Sequence, residues 1–144
     1  MAVQLLGRSD AGPQLNLPLY IEGQSADQAD PDDFDELQGV DLNSLCLRNP
    51  QASLFVAMDT QAMEDAGIHA GDVLVVDRAL KPDQGRVILA GFQGDLLVRE
   101  LVLRPSPRLI AKHPDFEDLI IPEHSELVVY GVVTQVIHSL RMGI

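Results

Sequence analysis

The stretch 54–77 narrows what this chain can become. The apolar run Leu54-Phe55-Val56 leads to a polar turn, Asp59-Thr60-Gln61. Ala62-Met63, an Ala66-Gly67-Ile68 step and a Gly71-Asp72 turn follow, and a second apolar run, Val73-Leu74-Val75-Val76, closes on Asp77. Short runs of Val, Leu and Phe bounded by Gly and Asp read as strands, because branched and aromatic side chains pack on a pleated surface and turn residues end the ladder. The same alternation continues toward the C-terminus. It predicts strands at 53–58, 73–77, 86–91, 95–103, 109–111, 119–121 and 127–138, separated by turn signals such as Gly71-Asp72, Lys81-Pro82-Asp83, Gly94-Asp95 and Pro105-Ser106-Pro107. Phe92-Gln93-Gly94-Asp95 has the form of a hairpin connection. A short helix is expected over 41–47, with Asp41 as its N-cap. The class is therefore all-β, a domain of short strands with one or two short helices.

Composition bounds the rest. A chain of 144 residues makes one domain plus an arm, and 46% apolar content is enough for a core. With no tryptophan and 4% aromatics, that core is built mainly from Leu, Val and Ile. No run of about 18 apolar residues exists, so no membrane span is expected. Arg8 and Asp10 stand near the N-terminus without a following apolar segment, which is not the form of a signal peptide. Cys46 is the single cysteine, which excludes an internal disulfide and suits a reducing cytoplasm; it is expected as a small buried apolar residue of the short helix. A net charge of −12 opposes direct binding to DNA phosphates. No phosphate-binding G-x-x-x-x-G-K-[ST] loop is present and no cofactor is expected. His69, His113, His124 and His138 are scattered, without the spacing of a metal site, so they read as structural or exposed residues. His124-Ser125 has the letters of a base and a nucleophile, but chain neighbours rarely face each other productively.

Taken in order, Ala62-Met63, Gly67-Ile68, Gly71-Asp72, the second strand and Asp77 resemble the LexA/UmuD family of self-cleaving serine peptidases. Its pattern is strand, Gly-Asp-Ser-Met, Gly-Ile, Gly-Asp, strand, Asp. Asp41-Leu42-Asn43, Asn49-Pro50, Leu103-Arg104-Pro105, Leu109-Ile110 and Gly131-Val132-Val133 extend the likeness over about 17–141, closest to the UmuD branch. The resemblance implies the family's β-domain over 41–144, preceded by a flexible arm over 1–40. It also implies that the nucleophilic serine falls on Ala62 and the general-base lysine on Arg99. A methyl group cannot attack a carbonyl, and a guanidinium stays charged at any working pH, so it takes no proton. The bond that the family cleaves falls at Ala26-Asp27, with no glycine after it. Thr60, two residues before Ala62, is the remaining hydroxyl, about 6–7 Å of extended chain away. An arginine placed in a cleft needs a partner, because an unpaired buried charge is destabilising. Asp59, Asp65 and Glu100 are the candidates, with Asp59 preferred, since Glu100 points to the opposite strand face.

The arm carries two further signals. Residues 22–36 hold seven acids and no Lys or Arg, too polar to build a core. Two readings stay open: a solvated linker, or an acidic ligand for a basic partner surface, anchored by Phe34. Before it, Gln14-Leu15-Asn16-Leu17-Pro18-Leu19 resembles the hexapeptide by which bacterial replication proteins dock on the sliding clamp. The residue before proline is held extended, and an extended segment points Leu15, Leu17 and Leu19 the same way. The alternative is a short strand folding back on the protein's own sheet.

Three functions follow from the resemblance. The first is a non-catalytic scaffold for translesion synthesis in the SOS response. It would dimerise through its β-domain, join a UmuC-like Y-family polymerase, reach the sliding clamp through the arm and contact the RecA filament. The second is a regulator that forms mixed dimers with an active UmuD- or LexA-like protein. The third is a residual peptidase using Thr60. A full repressor is not expected, because the roughly 50 residues before the first strong strand are acidic, rich in Pro, Gly and Asp, and lack a recognition helix.

Overall fold

The computed structural model describes residues 3–8, 16–18 and 39–140. Its main sheet has eight strands: β1 (Val3–Arg8), β4 (Ser53–Met58), β5 (Val73–Asp77), β6 (Val87–Phe92), β7 (Asp95–Val102), β8 (Arg108–Ile110), β9 (Leu119–Ile120) and β10 (Leu127–Ile137). Their order is β1-β4-β5-β10-β6-β7-β8-β9, and every neighbouring pair is antiparallel. A second, two-stranded sheet pairs β2 (Asn16–Pro18) with β3 (Gly39–Asp41). The helix α1 (Leu42–Cys46) follows β3 directly. Among the described residues no helix is long and apolar enough to cross a membrane.

The expected strands are all present, two with the expected ends and the others within a residue or so. Strands β6 and β7 meet across Gln93 (φ 52°) and Gly94 (φ 83°), with Phe92 paired to Asp95. Two left-handed residues in a two-residue loop match the twist of the flanking strands. Strand β10 holds the sheet together. Its first half pairs with β6 and its second with β5, so that Val132 lies between Asp77 and Ile88. The ladder slips between Val129 and Gly131 and again between Val133 and Gln135. At the first slip the backbones crowd. A Cβ at Gly131 would sit 2.7 Å from Val76 Cγ1 and 2.9 Å from the Asp77 carbonyl oxygen. Only glycine admits that approach.

Apolar side chains cover both faces of the sheet's middle. Val56, Met58, Met63, Ile68, Leu74, Val76, Leu89 and Val98 form one cluster. Ile88, Ala90, Phe92, Leu97, Leu101, Leu109 and Val132 form the other. The period of two along β6 explains the split: Leu89 goes to one side, and Ile88, Ala90 and Phe92 to the other. Each fully buried Val, Leu or Ile contributes about 1.5–3 kcal/mol relative to exposure.

Two anchors fix the edges of this frame. The Asp41 carboxylate accepts from Ser44 N and Ser44 Oγ, both at 3.0 Å, and so caps α1 as its sequence position predicts. Buried Asp77 accepts from Asn49 Nδ2 at 2.9 Å and from Ala79 N at 2.8 Å, tying the Asn49-Pro50 turn to the end of β5.

Some expectations need correction. Cys46 is only half-buried, because α1 lies on the surface with Leu42 and Leu45 exposed. Two strands, β1 and β3, fall where none is predicted, and β2 falls in the segment whose alternative reading is a short strand folding back. β1 joins the sheet edge beside β4, with Val3 opposite Met58 and Arg8 opposite Leu54. β2 pairs with β3, placing Leu17 opposite Val40. Part of the segment read as an arm, 1–40, is thus hydrogen-bonded as strand.

Candidate functional site

The candidate site is built on the turn between β4 and β5. Ala62 is fully buried there. Its carbonyl accepts from Lys112 N at 2.7 Å, and the Lys112 carbonyl accepts from Asp65 N at 2.8 Å, so the turn is laced to the segment that leaves β8. The Met63 carbonyl accepts from Ala66 N at 3.0 Å and from Ile68 N at 3.2 Å. Gly67 closes this short 3-10 turn in the left-handed region, φ 84°. The Thr60 hydroxyl accepts from Ala62 N at 3.4 Å. Thr60 therefore sits as a cap on the turn, with a backbone amide for its partner.

Arg99 lies on β7, paired in register with Ile88. Cross-strand partners share a face. Arg99 therefore projects with Ile88 and with its i±2 neighbours Leu97 and Leu101, the face of the second cluster. It is 7% exposed. Its Nη1 donates to the Val98 carbonyl at 2.8 Å, and its Nε is buried without a hydrogen-bond partner among the described residues. The guanidinium carbon lies 5.9 Å from the centre of the Phe116 ring, a cation–π contact. Burial pushes the Arg99 guanidinium below its ordinary value.

The expected salt bridge from Arg99 to Asp59 is absent. Among the described residues no carboxylate lies within ion-pairing distance of Arg99, and Asp59 is exposed on the turn. The reason is directional: the face that holds Arg99 is apolar, and an aromatic ring covers it in place of an acid. Glu100, on the opposite face as expected, meets Lys112 Nζ at 2.6 Å. That pair raises the Lys112 ammonium above its usual range, by the hydrogen bond first and the charge second.

Phe116 links Arg99 to the turn. His113 packs edge-on against Phe116 with centroids 5.5 Å apart, and His113 Nε2 lies 3.3 Å from Glu64 Oε2, two residues after Ala62. Asp115 N donates to His113 Nδ1 at 3.0 Å, which leaves Nε2 as the protonated nitrogen facing Glu64. Sequence reasoning missed this chain of contacts. It depends on where the loop after β8 returns, and no local pattern encodes that.

The histidines are less scattered than their spacing suggests. His69 and His138 both approach buried Asp72. The signal that could have found them is the pairing of β5 with β10, which sets the residue after Ile137 beside the residue before Val73.

Of the arm positions, Leu17 is described and is 50% exposed on β2, while Asn16 and Pro18 contribute backbone to that strand. Gln14, Leu15, Leu19, Ala26 and Asp27 lie outside the described residues, as does the acidic run with Phe34.

Comparison with known proteins bears on the same turn and strand. The family described as Peptidase S24-like matches residues 5–134. The protein MucA of Salmonella typhimurium is 36% identical over 141 residues, covering 97% of this chain and 94% of MucA. The protein ImpA of Salmonella typhimurium is 40% identical over 127 residues, covering 86% of this chain and 85% of ImpA. The LexA repressor of Cupriavidus taiwanensis is 29% identical over 140 residues, and this chain spans 57% of its length.

Proposed function

Because the chain belongs to the S24-like peptidase family, we propose that it is a non-catalytic UmuD-like accessory subunit of SOS translesion synthesis, which holds other proteins instead of cutting itself. The observation that carries this reading is the pair Ala62 and Arg99. A methyl group, fully buried in a hydrogen-bonded turn, stands where the family pattern has its nucleophile. A guanidinium stands where that pattern has its base. Burial lowers its pKa, but a guanidinium still keeps its proton at working pH. The neighbouring amine does not replace it, since Lys112 is engaged with Glu100 and held more firmly protonated. The Thr60 hydroxyl faces an amide.

The partners in this reading are a second copy of the chain, a UmuC-like Y-family polymerase, the sliding clamp and the RecA filament. Apolar surface is available for such contacts: Ile120, Val128, Tyr130, Val136 and Ile137 are exposed along β9 and β10. The clamp contact is assigned to Gln14, Leu15, Leu17, Pro18 and Leu19, and the exposure of Leu17 supports it. An arm over 1–40, held to the domain at Val3–Arg8 and Asn16–Pro18, and a cytoplasmic location complete the proposal.

A pull-down from DNA-damaged cells tests it. The intact chain should recover clamp and polymerase, and the variant Gln14→Ala, Leu17→Ala, Leu19→Ala should lose the clamp. Equal recovery with both chains refutes the clamp assignment. A second reading draws on the match over 5–134, which spans nearly the whole chain. A protein sharing that much of the fold could pair with an active relative and restrain its cleavage. Co-expression separates the two: mixed dimers with slowed cleavage of the partner favour the regulator.

A further inference from the structure

We propose that His69, Asp72 and His138 form a binding site for a divalent transition ion, zinc in the first instance. The site lies where the turn before β5 meets the end of β10. The two strands pair antiparallel, Val73 opposite Ile137, so the next residue outward on each is Asp72 and His138. The Gly71-Asp72 turn adds His69, whose carbonyl accepts from Asp72 N at 3.0 Å.

The carboxylate is fixed before any ion arrives. Asp72 is 1% exposed. Its Oδ2 accepts from His69 N at 2.8 Å, and its Oδ1 lies 2.6 Å from His138 Nδ1. His69 Nδ1 is turned inward, 3.8 Å from Asp72 Oδ2. That atom is shielded from solvent and has no hydrogen-bond partner among the described residues, although the ring around it is nearly half exposed. A buried ring nitrogen aimed at a carboxylate from beyond hydrogen-bond reach is a group waiting for a cation. One ligand atom from each of the three residues lies within 4.8 Å of the others.

Zinc bonds of about 2.0–2.2 Å set neighbouring ligand atoms about 3.3–3.6 Å apart at the tetrahedral angle. The His69–Asp72 gap of 3.8 Å is close to that spacing. The His138–Asp72 contact is shorter, as suits a shared proton, and a cation takes the place of that proton. His138 is half exposed at a strand end and free to open by the needed distance. The rings are tilted by 50° with centroids 5.3 Å apart, which lets two nitrogens converge on one point without stacking. Two imidazoles and a carboxylate suit zinc, cobalt or nickel better than magnesium or calcium, and they leave a fourth position for water or a partner's side chain.

Such an ion would staple three strand ends. Met58 N at the end of β4 donates to the Asp72 carbonyl at 2.8 Å, and Gly71 N donates to the Met58 carbonyl at 2.7 Å. His69 follows Ile68, which is bonded back to Met63 beside Ala62. Zinc at Asp72 would thus stiffen the turn that carries the candidate site. The full-length chain, stripped with chelator, should bind one equivalent of Zn2+ by calorimetry. Co2+ in its place should give visible d–d absorption with nitrogen and oxygen ligands. His69→Ala and His138→Ala should each weaken binding by roughly tenfold or more, and His124→Ala should change nothing. Zinc should raise the melting temperature of the parent chain but not of the double variant His69→Ala, His138→Ala. The two histidine positions are half exposed, so these variants keep their fold where Asp72→Asn, at a buried position, risks losing it. Absence of saturable zinc binding, or binding unchanged in the double histidine variant, overturns the proposal.

Discussion

Arg99 is a buried cation whose one side-chain hydrogen bond among the described residues runs to the carbonyl of its own neighbour. Desolvating a charge is unfavourable, and among the described residues neither a carboxylate nor a bond to Nε offsets it. Arg99→Met keeps the volume and removes the charge from a face shared with Ile88, Leu97 and Leu101. The expected outcome is a gain of about 1–3 kcal/mol in urea unfolding. A loss of more than about 1 kcal/mol would show that the Phe116 contact outweighs desolvation. Lys112 makes the opposite case. Its pKa is raised in the folded chain, so the pair with Glu100 stabilises fully below the unfolded lysine value of 10.5 and is lost as pH climbs through the higher folded value. Lys112→Met should flatten the fall in stability above pH 10.5 and leave its shape at neutral pH alone, as read by unfolding midpoints across that range. The ammonium is partly solvent-exposed, so the effect is modest.

At the level of elements, β10 decides the architecture. Among the described strands it alone pairs with both β5 and β6, and it does so by slipping register twice. Gly131→Ala places a methyl against the Asp77 carbonyl, which is backbone and cannot turn aside. The expected loss is about 1–3 kcal/mol in chemical denaturation, with the unfolding slope unchanged. A neutral result would mean that the ladder relaxes there at no measurable cost.

At the level of the whole molecule, the proposed loss of chemistry rests on positions far apart in the chain. Ala62 is held by the segment after β8, Arg99 lies on β7, and Ala26-Asp27 belongs to the arm. Restoring Ala62→Ser and Arg99→Lys together should therefore give no rapid self-cleavage, followed as intact chain on denaturing gels. Prompt trimming of the front end in that double variant would show that the remaining geometry had stayed competent.

Most of the fold was legible from local chemistry. Runs of Val, Leu and Ile between Gly, Pro and Asp turns located the seven expected strands, Gln93-Gly94 marked the hairpin, and Asp41 marked the helix start. These are short-range signals, because alternation and turn conformations are decided within a few residues. The strands at Val3–Arg8 and Gly39–Asp41 were not, and Asn16–Pro18 was legible only as an alternative, since short edge strands borrow their pairing from partners distant in the chain. Side-chain partnerships were the least legible. Arg99 faces Phe116 rather than Asp59, Lys112 takes Glu100, and His138 meets Asp72 across 66 residues. What residue type stands at a position, and whether it lies in a strand or a turn, is written locally. Which charge meets which is settled only when register and strand order bring remote segments together, because electrostatic and hydrogen-bond partners depend on distances of a few ångströms that no one-dimensional pattern fixes.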